Sequence, residues 1–253
     1  MFFIIIFLLG IVFGSFIAAW VSRAHREISV WSGRSGCVSC SYTLQARDLI
    51  PVVSFLVLKG KCRNCSNKIS SHYFLTELFF GLGLVFLVWF HQAEFFSLSF
   101  DFIFQSIVVF FFTAIFVSDF LYQEIPFSMT LVPTFLLFVI SLIWGTGDYS
   151  SMILGAIIAG GFFLFQYLVS RGKWIGFGDV GIGILLGIVL GWQKTLLALV
   201  LAYVGGAIMS LILLGFKKTN KKTALPFGVF LTLATFVAML WGEKIIDWYL
   251  KFL

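Results

Sequence analysis

The sequence predicts an all-α, polytopic membrane protein of about eight transmembrane helices with a small cytoplasmic, zinc-ribbon-like insertion. Three observations carry this. Of 253 residues, 60% are hydrophobic and only 11% charged, against about 25% charged in a soluble domain. The apolar residues gather into runs of about 20, the length that spans a bilayer as a helix. All four cysteines fall in the one long polar stretch.

The apolar runs lie at roughly 2–22, 73–91, 102–120, 128–144, 150–169, 175–192, 195–215 and 225–241. In lipid, backbone polar groups must pair within the segment, so each run is expected as a helix. No period-two alternation supports a barrel. Only residues 191–194 divide the sixth run from the seventh. The first run lacks the basic start of a signal peptide and is long for one, so it reads as a retained anchor. The expected organisation is a first transmembrane helix at 1–22, a cytoplasmic four-cysteine zinc-binding domain at 23–72 and a transmembrane helical bundle at 73–253.

The net charge of +6 could suggest nucleic acid in a soluble chain. Here the placement of charge points to topology, and no nucleic-acid partner is expected. Fourteen Lys and Arg residues fall in 23–72, around Arg171 and Lys173, and at Lys217, Lys218, Lys221 and Lys222. Only Lys194, Lys244 and Lys251 fall on the other side, and the 92–101 loop there carries Glu94 and Asp101. By the positive-inside rule, the N-terminus faces outward and 23–72 is cytoplasmic.

Ionisable residues within membrane spans are costly and usually functional. Asp119 ends the third run, in FVSDFLYQEIP, and Asp179 opens the sixth, in GFGDVGIG. The third run descends to the cytoplasmic side and the sixth ascends from it, so both aspartates belong at the same depth. Two close carboxylates share a proton: one acts as acid while the other takes a proton from water. That is the arrangement of an aspartic peptidase. Gly176 and Gly178 would let a substrate strand approach Asp179. Asp179 could instead be a helix N-cap. For Asp119 the dipole at the end of its own helix is unfavourable, so capping does not explain it. Paired carboxylates also serve ion-coupled transport, but those sites lie near the midplane of repeated architectures. Among the other acids, Glu77 reads either as paired with a base or as lining a polar cavity. Glu124 reads as a solvated surface residue and Asp148 as a turn residue.

Cys37 and Cys40 form one C-x2-C knuckle, and Cys62 and Cys65 a second, with 21 residues between them. Two knuckles supply a tetrahedral thiolate set for structural zinc, with no open position for catalysis. A reducing compartment disfavours disulfides.

With these residues in place, the chain resembles the type IV prepilin peptidases, which are membrane aspartic peptidases with a GxGD motif. The match runs from GSF at 14–16 through CVSC, LIPVVSFLVLKGKCRNCSNKIS, Tyr73 and Glu77 to Asp119. It continues through Ile125 and Pro126, GFGDV, and LPFGVFL with Pro226 and Gly228. The resemblance implies that Asp119 and Asp179 cut the short basic leader from prepilin or pseudopilin precursors at the cytoplasmic face of a bacterial inner membrane. It also implies methylation of the new N-terminus with S-adenosylmethionine, or peptidase activity alone. Three positions depart from the family pattern. Ala18 stands where Asn is usual, Gly181 where Lys is usual, and Phe127 where Asp or Asn follows Ile-Pro.

Overall fold

A computed structural model describes residues 2–30, 32–91, 99–145, 148–215 and 225–252. Glu94 and the lysines at 217, 218, 221 and 222 lie outside the described residues. Among those described there is no strand. The helices are α1 (Phe2–Ala24), α2 (Val53–Val57), α3 (Ser71–His91), α4 (Phe100–Tyr122), α5 (Ser128–Trp144), α6 (Tyr149–Ser170), α7 (Phe177–Gly215) and α8 (Phe227–Leu250). Six of them are long and apolar enough to cross a membrane, and α5 is a shorter apolar helix of 17 residues. The protein is thus an integral membrane protein. The eight expected runs correspond to α1, α3, α4, α5, α6, the two arms of α7 on either side of Gly191, and α8.

Contacts group the chain into two units, Met1–Val117 and Ser118–Leu253. In the first, α1 packs on α3 along a seam of small residues. A Cβ at Gly10 would lie 2.6 Å from Gly81 Cα, and one at Gly14 would lie 2.7 Å from Glu77 Cα. Helices in lipid gain little by burying apolar surface against one another, so such close backbone contact is a main source of their attraction. Phe110 of α4 closes the packing against Phe13, Phe16, Trp20 and Phe80.

Glu77, expected to pair with a base or line a cavity, instead ties the cysteine-bearing segment to α3. Its Oε2 accepts the Val52 N–H at 2.7 Å, and the Ser15 hydroxyl also bonds to the carboxylate. Val52 has φ 63°, an outlier for a β-branched residue. The Val53 N–H closes a γ-turn onto the Pro51 carbonyl at 2.6 Å. The cost of that turn is borne by the Glu77 contact and by the start of α2.

In the second unit, α6 and α8 pack on α7, as does α5. The seam between α6 and α7 is again glycine. A Cβ at Gly183 would lie 2.6 Å from Phe163 and 3.0 Å from Ala159 backbone, and one at Gly187 would overlap the Gly155–Ala156 backbone. α7 breaks at Gly191, where φ 71° and ψ 170° belong to a region that essentially only glycine occupies. The freed Trp192 N–H donates to Ser151 Oγ at 3.2 Å.

The break reverses the chain. A Cβ on Gly155 of α6 would touch Gly187, Gly191 and Thr195 together, which are positions four before the break, at it and four after. Two turns further along α6, a Cβ at Gly183 on the first arm would meet Phe163 and Phe162 contacts Tyr203 on the second. α7 is therefore a helical hairpin with both arms against α6. Two buried hydroxyls of α8 turn inward to their own helix, Thr232 donating to Val229 O and Thr235 to Leu231 O.

Candidate active site

Asp119 sits one turn from the C-terminal end of α4, where its own helix offers only carbonyls. Its partner is another helix. The chain turns at Gln123, whose N–H donates back to Asp119 O at 2.9 Å. The extended Leu225–Pro226 segment then presents the start of α8. Proline is suited to this place because no intrahelical partner exists there for an N–H. Val229 N–H donates to Asp119 Oδ2 at 3.0 Å, and the Gly228 N–H also bonds to the carboxylate. The unfavourable dipole of α4 is thus offset by the positive end of α8.

Asp179 lies in the first turn of α7 and is buried. It is not the N-cap considered above: as the third helical residue it reaches back, and its Oδ2 accepts the Gly176 N–H at 3.1 Å. That is one half of a capping box.

Both aspartates line one cleft of about 540 Å³, within the usual range for ligand sites. Pro126, Gly176, Gly178 and Pro226 line it with them, and Gly228 abuts Asp119: a Cβ there would lie 2.8 Å from Oδ2. The carboxylates are near enough that the charge on Asp119 acts on Asp179. Ile125 is where the three segments meet. A Cβ at Gly178 would lie 3.0 Å from the Ile125 Cβ, and one at Gly228 would lie 3.1 Å from its Cδ1.

Sequence reasoning did not single out Gln123, Lys173 or Trp174 for this cleft, yet all three line it. Glu124 lines it as well and is exposed. A clue for Lys173 was available, since it stands six residues before Asp179 in the Arg171–Gly176 connection. Asp148 is not a mere turn residue: it caps α6, accepting the N–H groups of Ser150 and Ser151. At Gly181 a Cβ would lie 2.9 Å from Thr130 Cβ, so α5 leaves no room for a larger residue there.

The first unit carries a second centre. The Sγ atoms of Cys37, Cys40, Cys62 and Cys65 all lie within 4.8 Å of one another, and those of Cys37 and Cys65 are 3.8 Å apart. That is too long for a disulfide. It matches the edge of a tetrahedron with metal–sulfur bonds of about 2.3 Å, which is about 3.8 Å. The donor set therefore fits a metal ion.

The knuckles are near copies of each other. Cys37 N–H donates to Tyr42 O and Cys62 N–H to Asn67 O, at 2.9 and 2.8 Å. Ser41 and Ser66 follow the second cysteine of each knuckle with φ 56° and 58°. The N–H groups of Ser39 and Cys40 hold the Cys37 thiol below its ordinary value. Those around Tyr42 and the Asn64 side chain do so for Cys40. The N–H of Asn67 favours the Cys65 thiolate, but loss of water around the sulfur and the neighbouring sulfurs of Cys40, Cys62 and Cys37 outweigh it and push that thiol up to about 12. Asp48, with its side chain buried, ties the short turn at Ala46–Asp48 to the second knuckle through Arg63 Nε at 2.7 Å.

Residues 8–91 match the bacterial peptidase A24 N-terminal domain and 106–211 the type IV leader peptidase family. The chain is similar to the prepilin leader peptidase/N-methyltransferase of Stutzerimonas stutzeri, 30% identical over 90% of this chain and 79% of the relative. It resembles that of Pseudomonas aeruginosa at 30% over 86% and 75%. The Bacillus subtilis protein of the same name is 29% identical over 98% and 97%. No solved structure matches significantly. The chain belongs to the type IV leader peptidase family.

Proposed function

We propose that this protein removes the basic leader from prepilin or pseudopilin precursors, with Asp119 and Asp179 as the catalytic pair. The observation that carries the proposal is that two carboxylates from different helices line one cleft, each fixed through Oδ2 by backbone N–H groups. One carboxylate, ionised, takes a proton from water. The water oxygen attacks the peptide carbonyl while the protonated partner donates to the carbonyl oxygen. Collapse of the tetrahedral intermediate breaks the C–N bond: the leaving amine takes the proton that the first carboxylate drew from water, and one hydroxyl of the intermediate returns its proton to the second carboxylate as the new carboxyl group forms. The pair ends with one proton between them, as it began.

The positive-inside distribution supports an inner-membrane protein with this cleft on the cytoplasmic side, where a basic leader would be held. The four thiols suit zinc in a closed, structural role, since four sulfur ligands leave no position for water or substrate. Methylation with S-adenosylmethionine rests on the names of the relatives. Ala18, at the position where the family usually carries Asn, is buried and offers no polar group, which favours the peptidase half of the reading.

The test is co-expression with a prepilin, reading leader loss and N-terminal mass. Cleavage by the unaltered enzyme and none by Asp179→Asn is expected. Cleavage by that variant at the unaltered rate would remove the dyad. An added mass of one methyl group would establish the second activity.

A further inference from the structure

Gln166 on α6 and Tyr203 on the second arm of α7 form a polar couple within apolar helices. Gln166 Nε2 donates to the Tyr203 hydroxyl at 2.8 Å, and in the alternative sense the hydroxyl donates to Oε1 at 3.0 Å. Neither residue is buried: Tyr203 is 38% exposed. Polar groups within apolar membrane helices are costly unless partnered and often mark function. Packing alone would be served as well by Leu and Phe.

The hairpin gives the couple its place. Asp179 stands twelve residues before Gly191 and Tyr203 twelve after. At about 1.5 Å per residue both lie about 18 Å from the break, on arms that pack on the same helix. The Tyr203 ring is 5.0 Å from that of Phe227, which lines the cleft. Tyr203 is within electrostatic reach of Asp179. The couple therefore stands one aromatic ring outside the cleft, at the depth of the aspartates.

We infer that Gln166 and Tyr203 are substrate-positioning residues that receive the unwound backbone of the precursor beside the scissile bond. This rests on the peptidase reading above. A peptide bond inside a helix is not open to attack, so the start of the precursor's apolar helix must unwind at the cleft. Unwinding frees N–H and C=O groups, each costly when left unpartnered in an apolar medium. An amide and a hydroxyl each donate and accept, so together they match both halves of a peptide unit. Before substrate arrives they satisfy one another, which is why the couple is tolerated in the free enzyme.

The test compares purified unaltered enzyme with Tyr203→Phe and Gln166→Leu on a full-length precursor in lipid vesicles, measuring KM and kcat separately. Tyr203→Phe keeps the ring contacts with Phe162 and Phe227, so the fold is retained. Interactions made equally in ground and transition states raise KM when removed and leave kcat alone. Each variant is expected to raise KM about five- to tenfold, with kcat within about twofold and an unchanged unfolding midpoint. A KM equal to that of the unaltered enzyme, or a loss confined to kcat with a lowered midpoint, overturns the inference while the peptidase reading stands. Failure of the unaltered enzyme to cleave any precursor overturns the peptidase reading, and this inference falls with it.

Discussion

The carboxylate of Asp119 accepts the backbone N–H of Val229, 110 positions later in the chain, at 3.0 Å. A group placed against its own helix dipole is thereby held by the dipole of another. The same bond aims the carboxylate and caps α8, so chemistry and capping can be separated by choice of substitution.

Asp119→Asn keeps an oxygen for the Val229 N–H but cannot serve as base. It is expected to accumulate in the membrane at normal levels while cleavage falls by about 10²–10⁴-fold. Asp119→Ala should lose the same activity and also about 0.5–2 kcal/mol of stability, the usual cost of a lost cap. Equal unfolding midpoints for the two variants would contradict the capping role.

Gly228→Ala should act on the chemistry through geometry. Its Cβ would press on Asp119 Oδ2 at 2.8 Å and on Ile125 Cδ1 at 3.1 Å. Displacing a catalytic group by about 1 Å commonly costs about 10²-fold in rate. Rate measurements should show that loss mainly in kcat. A fully active alanine variant would mean that Asp119 tolerates movement.

Gly191→Ala places a side chain where φ is 71° and ψ 170°, and its Cβ would meet Ser151 Oγ at 2.6 Å. Backbone strain alone costs about 1–3 kcal/mol, and the Ser151 bond to Trp192 is disturbed as well. The unfolding midpoint in detergent should drop by several degrees. A stable variant would mean that the hairpin can reverse elsewhere.

Cys37→Ser should reduce bound metal, which elemental analysis would find at about one zinc per chain in the unaltered protein. A strong chelator should loosen residues 23–72 to proteolysis first, because a four-thiol site ties metal binding to local folding. Metal-free protein with an intact 23–72 segment would refute this.

Asp48 supplies a pH test. The Arg63 hydrogen bond, then the Gln45 N–H and the charges of Arg63 and Arg47, hold its carboxyl below the usual carboxylate value. A depressed folded-state value means the stabilisation is full above the unfolded value of about 3.9 and is lost as pH falls through the lower folded value. The stability difference between the unaltered protein and Asp48→Asn should therefore be constant at neutral pH and shrink below about pH 4. A difference independent of pH would exclude the carboxylate charge as its source.

Much of this was legible in the order of residues. Apolar length decides that a segment is a helix in lipid, because nothing else satisfies its backbone there. The C-x2-C spacing decides that two thiols share a turn. The GxxxG at Gly10 and Gly14 was equally readable as a packing face, though its partner was not. Tertiary structure alone decided what each carboxylate touches. No pattern around Asp119 names Val229 as its donor, since that bond joins helices far apart in sequence. Likewise the four residues 191–194 looked like a soft boundary between spans. The eight spans already required the chain to reverse there, but only the folded chain, with a Cβ on Gly155 meeting Gly187, Gly191 and Thr195 at once, shows that both arms pack on α6 and that Tyr203 returns to the depth of Asp179. Local pattern determines which segments are helices. Which helix ends meet depends on packing between distant segments, and that is where the candidate site is made.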